Sequence, residues 1–127
     1  MTLNEYQQQV MTTSLPKTEN FSYMMLNLTA EVGEIAGKVA KMLCKDQVRV
    51  SRNGDLEMYF MADTEAQTRE AHAREMELRK AAGDVLRQLS GLCFVMGWEL
   101  EDVARQNLLK LADSQQQHAI DGQGDNR

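Results

Sequence analysis

A length of 127 residues, with 43% hydrophobic and 26% charged side chains, suits one domain with a single hydrophobic core. The net charge of −5 argues against binding along a nucleic-acid polymer, and no apolar run reaches the roughly 20 residues that cross a bilayer. Since the N-terminus also lacks the basic start and apolar stretch of a secretory signal, we predict a cytoplasmic protein with no nucleic-acid or membrane partner.

Four segments of the chain carry apolar residues at every third or fourth position, which is typical of helices packed on one face. A single proline and a high content of Ala, Leu, Met, Gln and Glu also favour helix. The predicted helices cover about residues 3–14, 20–43, 64–96 and 100–118. We therefore predict an all-α, four-helix bundle, and short helical chains of this kind often complete their cores by dimerising.

The segment between the second and third helices, about residues 45–63, breaks the helical period and is the first part of an insertion predicted over about 45–75. Apolar residues alternate on both sides of Asn53-Gly54, a dipeptide typical of tight hairpin turns. A small β-hairpin over about 47–61 and a flexible insertion both fit this pattern. Around it we predict a single helical domain over 1–119, followed by a polar tail over 120–127.

The second helix carries charged side chains beside its apolar stripe. Glu31 and Glu34 lie one turn apart and precede Lys38 and Lys41 on the same narrow face, at about 100° per residue. Two carboxylates one turn apart can hold a hard divalent cation such as Mg²⁺, and the lysines can contact phosphate oxygens bound to that cation. A solvated face with an ion pair between Glu34 and Lys38 explains the same pattern.

A third carboxylate, Asp84, borders the apolar stripe of the third helix. Charged residues are uncommon there unless they are paired or bound to a metal. If the third helix packs against the second, Asp84 faces Glu31 and Glu34, and a divalent cation would offset the repulsion among the three groups. An aspartate paired with a lysine fits equally well.

On the last helix, Asn107 and Lys110 share one face. An amide and an ammonium placed together can hold the phosphates or the sugar of a nucleotide. An exposed helix edge without a ligand is the alternative.

Three stretches carry a resemblance to a known family: LTAEVGEIAGKVAK at 28–41, AAGDVLRQLSGLCFVMGWELEDVARQNLLKLAD at 81–113, and IDGQGDNR at 120–127. In this order they resemble the MazG-like nucleoside triphosphate pyrophosphohydrolases. The resemblance implies a four-helix homodimer or homotetramer that requires Mg²⁺, with Mn²⁺ as a substitute. It also implies cleavage of a nucleoside triphosphate to the monophosphate and pyrophosphate.

The metal ligands of that family come from an E-x-x-E and a later E-x-x-D motif. Carried across, the resemblance makes Glu31, Glu34 and Asp84 the metal-binding and catalytic residues. It also places Asn107 and Lys110, which match the family's N-x-x-K, near the phosphates.

The chain departs from the family pattern at Ala81, which stands where the family has the glutamate of E-x-x-D. Glu77, one turn earlier, is the nearest residue that can replace it, although its side chain starts about 6 Å further along the helix axis. The sequence therefore predicts either a hydrolase impaired by Ala81 or a weakly active or inactive nucleotide-binding regulatory protein of the same fold.

Overall fold

The structure, a computed structural model, describes residues 1–121. Its helices confirm the predicted all-α, four-helix class, and a two-stranded antiparallel hairpin lies between the second and third helices, as one of the two interpretations of that segment predicted. Of the polar tail predicted over 120–127, residues 120 and 121 belong to the last helix, and the rest lies outside the described residues. The elements are α1 (Leu3–Met11), a 3-10 turn (Pro16–Thr18), α2 (Phe21–Cys44), β1 (Arg49–Val50), β2 (Leu56–Glu57), α3 (Glu65–Val95) and α4 (Leu100–Asp121).

Local side-chain hydrogen bonds fix where the helices begin. Thr2 and Glu5 bond reciprocally to each other's backbone N–H groups at the start of α1, a capping box. Thr64 and Gln67 do the same at the start of α3. At its other end, α3 stops before Gly97, whose positive φ of 77° suits glycine at a helix C-terminus.

The hairpin pairs Arg49 with Glu57 and Val50 with Leu56. Its turn is closed by hydrogen bonds from Gly54 N–H to the Ser51 carbonyl and from Ser51 N–H to the Asp55 carbonyl. The chain after β2 is joined to α3 by a 2.7 Å hydrogen bond that the Tyr59 hydroxyl donates to Glu75. These contacts give order to most of the segment predicted as an insertion.

The chain divides into two compact units. The terminal unit comprises Met1–Phe21 and the chain from Ser90 onward, and the central unit comprises Ser22–Leu89. In the terminal unit, α1 packs against the start of α4, where Asn4 and Gln7 bind backbone groups of the chain around residues 98–101. No helix among residues 1–121 is long and apolar enough to cross a membrane.

In the central unit, α2 and α3 run antiparallel. Lys38 of α2 forms an ion pair with Glu77 of α3, while Glu31, earlier on α2, lies near Asp84, later on α3. The earlier residue of α2 therefore contacts the later residue of α3, as in an antiparallel pair of helices. Within this unit, the turn of α2 just before Glu31 accordingly faces the turn of α3 just after Asp84.

The buried side of α3 is rotated from the face that its apolar periodicity suggests. The buried positions include Ala71, Ala81 and Gln88. Many apolar side chains of the helices remain exposed. A single chain of this length buries only part of its apolar surface. The large exposed ones include Phe21, Met25, Leu26 and Val32 on α2, Leu86, Leu89 and Phe94 on α3, and Leu108, Leu109 and Leu111 on α4.

Candidate metal centre

Three carboxylates come together in the central unit. Glu31 and Glu34 project from consecutive turns of α2, and Asp84 projects from the facing part of α3. One carboxylate oxygen from each lies within 4.8 Å of the other two. Oxygen ligands at this spacing suit a hard divalent cation such as Mg²⁺.

The electrostatics of Glu31 support this assignment. Burial raises the pKa of Glu31 most, followed by a hydrogen bond with Glu34 that requires a shared proton. The negative charges of Asp84 and Glu34 raise the pKa further, and the nearby Arg87 guanidinium lowers it. Glu31 Oε2 is also buried and has no hydrogen-bond partner within residues 1–121. A group of like charges with a buried, unpaired oxygen fits a bound cation, which would offset both costs.

The residue predicted to replace the missing ligand lies elsewhere. Glu77 Oε2 is 3.1 Å from Lys38 Nζ, and Glu77 is not among the three carboxylates that come together. The same contact occupies Lys38, one of the predicted phosphate-binding lysines. Lys41, one turn later on α2, is exposed.

Ala81 is 3% exposed and offers only a methyl group beside the carboxylates of its helix face. The structure thus gives this position to apolar packing. No oxygen is supplied where the related enzymes have a glutamate.

Asn107 and Lys110 lie on α4 in the terminal unit, and both are exposed. They lie one turn apart, as the sequence indicates, and their side chains are free of burial that would prevent contact with a ligand.

Gln88 is a buried polar residue near this site that the sequence analysis did not single out. It is 5% exposed, lies one turn after Asp84, and its Oε1 atom has no hydrogen-bond partner among the residues that the structure describes. The available signal was a polar amide at the same helical angle as Ala81, seven residues later.

The comparisons with known proteins identify the family of the chain. The model of the MazG nucleotide pyrophosphohydrolase domain matches residues 19–118, a range that contains all three carboxylates as well as Asn107 and Lys110. The chain is also similar to the "Gene 37 protein" of Mycobacterium phage L5, with 32% identity over 110 residues, which cover 86% of this chain and 78% of that protein. No solved structure showed significant similarity. The chain therefore belongs to the MazG nucleotide pyrophosphohydrolase family.

Proposed function

We propose that the chain is a Mg²⁺-dependent nucleoside triphosphate pyrophosphohydrolase, which releases a nucleoside monophosphate and pyrophosphate. The observation that carries this proposal is the meeting of three carboxylates within 4.8 Å in a member of this family. Mn²⁺, which takes the same oxygen ligands, is expected to substitute for Mg²⁺.

Glu31, Glu34 and Asp84 would hold the cation. A bound divalent cation neutralises phosphate oxygens and lowers the pKa of a bound water. One carboxylate of the site would accept the proton of the attacking water.

Lys38, Lys41, Asn107 and Lys110 are the proposed phosphate-binding residues. Lys38 must leave Glu77 to reach a phosphate, and this exchange is cheap because both side chains are partly exposed. Exposed ion pairs of this kind contribute only about 0–1 kcal/mol. Lys41, Asn107 and Lys110 are exposed and need no such exchange.

Ala81 supports a second candidate, a weakly active or inactive nucleotide-binding regulatory protein of the same fold. A site with three carboxylates in place of four is expected to bind cations less tightly. The retained Glu31, Glu34 and Asp84 favour ligand binding over a purely structural role in either case.

The protein is further proposed to act as a homodimer or homotetramer built from single domains over residues 1–119. The exposed apolar side chains of α2, α3 and α4 support self-association, since patches of this kind commonly mark subunit interfaces. Size-exclusion chromatography with light scattering tests this part of the proposal.

Hydrolysis is tested by pyrophosphate release from a panel of canonical and modified nucleoside and deoxynucleoside triphosphates with Mg²⁺ or Mn²⁺. The wild-type chain is compared with Glu34→Ala, which removes one carboxylate of the cluster. The matched control is Glu70→Ala, which removes an exposed carboxylate from α3.

Metal-dependent release that falls at least about 100-fold in Glu34→Ala, but stays unchanged in Glu70→Ala, is the expected result. No release by a chain with native circular dichroism would reject the hydrolase. Metal-dependent nucleotide binding by that inactive chain, measured by calorimetry, would then support the regulatory protein.

A further inference from the structure

Gln88 presents a buried amide oxygen for which the chain supplies no partner. The residue is 5% exposed, and its Oε1 atom has no hydrogen-bond partner in the described part of the chain. An unpaired buried carbonyl destabilises a fold, so native proteins retain few of them. Such an atom points to a ligand that completes its hydrogen bonding or coordination.

The position of Gln88 on α3 places its side chain next to the turn that carries Asp84. Gln88 follows Asp84 by four residues on α3, which places it about 40° around the helix and about 6 Å along its axis. Side chains in helices lean toward the N-terminus, and the Gln88 side chain therefore leans toward the turn that carries Asp84. Ala81 lies on the other side of that turn.

The facing helix carries a second unpaired oxygen nearby. Because α2 and α3 are antiparallel, Glu31 faces Asp84, and Gln88 lies opposite the turn of α2 just before Glu31. Glu31 Oε2 is also buried without a partner in residues 1–121. Both atoms are acceptors when Glu31 is ionised, so neither can satisfy the other, and a cation would satisfy both.

We propose that the Gln88 carboxamide oxygen is a fourth oxygen ligand of the cation site formed by Glu31, Glu34 and Asp84. It serves in place of the carboxylate that Ala81 lacks. The inference rests on the metal site of the proposed function. Amide oxygens are ordinary ligands of hard cations.

This assignment gives the site a fourth oxygen ligand although Ala81 supplies none. Gln88 restores an oxygen but not a negative charge, so the set carries three carboxylates rather than four. Glu77, the other candidate, is paired with Lys38 and partly exposed. Arg87 further reduces the negative potential at Glu31. The expected outcome is a site that binds one cation with moderate affinity.

Two substitutions of Gln88 test the proposal with the metal alone. Gln88→Met keeps the length of the side chain and removes the oxygen, whereas Gln88→Glu keeps the oxygen and adds a charge. Mn²⁺ binding is measured by electron paramagnetic resonance without nucleotide, and thermal unfolding is followed in EDTA. Gln116→Met, on the exposed surface of α4, is the matched control.

We expect Gln88→Met to weaken Mn²⁺ binding about tenfold or more and Gln88→Glu to strengthen it. In EDTA, Gln88→Met should melt no lower than the wild type, because it replaces an unpaired buried amide with an apolar group of similar shape. Loss of Mn²⁺ affinity without loss of metal-free stability distinguishes a ligand from a structural residue.

Wild-type Mn²⁺ affinity in Gln88→Met, or a weaker affinity in Gln88→Glu, would overturn the proposal. The pyrophosphate assay separates this failure from that of the proposed function. If the wild type releases pyrophosphate while Gln88→Met binds Mn²⁺ normally, only the ligand assignment is wrong. If no variant releases pyrophosphate but Gln88→Met still loses Mn²⁺, the hydrolase is wrong and the ligand assignment holds.

Discussion

Two glutamines of this chain are equally buried and differ in what surrounds them. Gln7, 6% exposed in the terminal unit, donates to the carbonyls of Ser90 and Trp98 at 3.2 and 3.0 Å. Its Oε1 accepts a 3.1 Å hydrogen bond from Leu100 N–H. Gln88, 5% exposed in the central unit, has an Oε1 atom that no described residue satisfies.

The difference separates a group used for folding from a group available to a ligand. Gln7 satisfies the backbone where α3 ends and α4 begins, so its amide is part of the fold. Within residues 1–121, the buried side-chain atoms without partners all lie in the central unit: Glu31 Oε2, Arg74 Nε and Gln88 Oε1. Burial alone therefore does not mark a ligand-binding residue, and the unpaired oxygen of Gln88 is what sets it apart from Gln7.

The largest effect is expected from adding an oxygen ligand to the proposed metal site in the central unit. Ala81→Glu should raise pyrophosphate release on the order of 1,000-fold, equivalent to about 4 kcal/mol of transition-state stabilisation. Because position 81 is 3% exposed, the added carboxylate should lower the melting temperature in EDTA, and Mn²⁺ should restore it.

Ala82→Glu is the control for this substitution, because the neighbouring Ala82 is exposed. It should change neither quantity. A gain in release from Ala82→Glu of similar size would mean that general negative charge, not coordination, causes the effect. No gain from Ala81→Glu in a folded chain would favour the regulatory protein.

A loss of stability is expected when the side chain of Gln7 in the terminal unit is replaced. Gln7→Met removes the hydrogen bonds to Leu100 N–H and to the Ser90 and Trp98 carbonyls, and should cost about 2–4 kcal/mol in the free energy of unfolding. Urea denaturation measures this cost. If Gln7→Met destabilised the chain as little as Gln88→Met does in EDTA, the proposed difference between the two glutamines would be wrong.

A smaller effect is expected at the ion pair between the helices of the central unit. Lys38→Met should change the free energy of unfolding by about 0.5 kcal/mol or less, because both partners are partly exposed. It also releases Glu77 from its partner. Unchanged Mn²⁺ affinity would confirm that Glu77 is not a ligand, whereas tighter binding would place Glu77 in the metal site.

The smallest effect is expected at the hairpin. The hydrogen bond from Tyr59 lowers the pKa of Glu75, with a further contribution from Arg79. A lowered pKa contributes stability above the ordinary value of 4.5 that is lost as the pH falls through the folded value. Tyr59→Phe should therefore lower the melting temperature slightly at pH 7, by about 2 °C or less. The difference from wild type should shrink in acid.

Much of the secondary structure could be predicted because local signals determine it. Helices α2 and α3 begin and end within a residue of their predicted bounds, and Gly97 stops α3 as its position suggests. The exceptions are the ends of α1 and α4. The α1 helix stops at Met11, where Thr12 and Thr13 turn back onto the last carbonyls, and α4 continues to Asp121.

The three carboxylates could also be predicted, because the spacing on each helix places them on one face. The contacts of Glu77 and the burial of Gln88 could not be predicted. Both depend on the register between α2 and α3, which the apolar periodicity does not determine. For the same reason, the apolar periodicity did not predict which face of α3 is buried. The face of α3 that packs is set by contacts distant in sequence, and it includes Gln88 as well as apolar residues.

The hairpin offers a practical route to these experiments. The hydrogen bonds of its turn, from Gly54 to Ser51 and between Ser51 and Asp55, stay within the turn, and residues 52–55 are exposed. Exposed loop tips of this kind tolerate inserted sequence well. A fluorophore or affinity tag placed between Asn53 and Gly54 would thus immobilise or label the chain while both termini and every proposed ligand keep their native sequence.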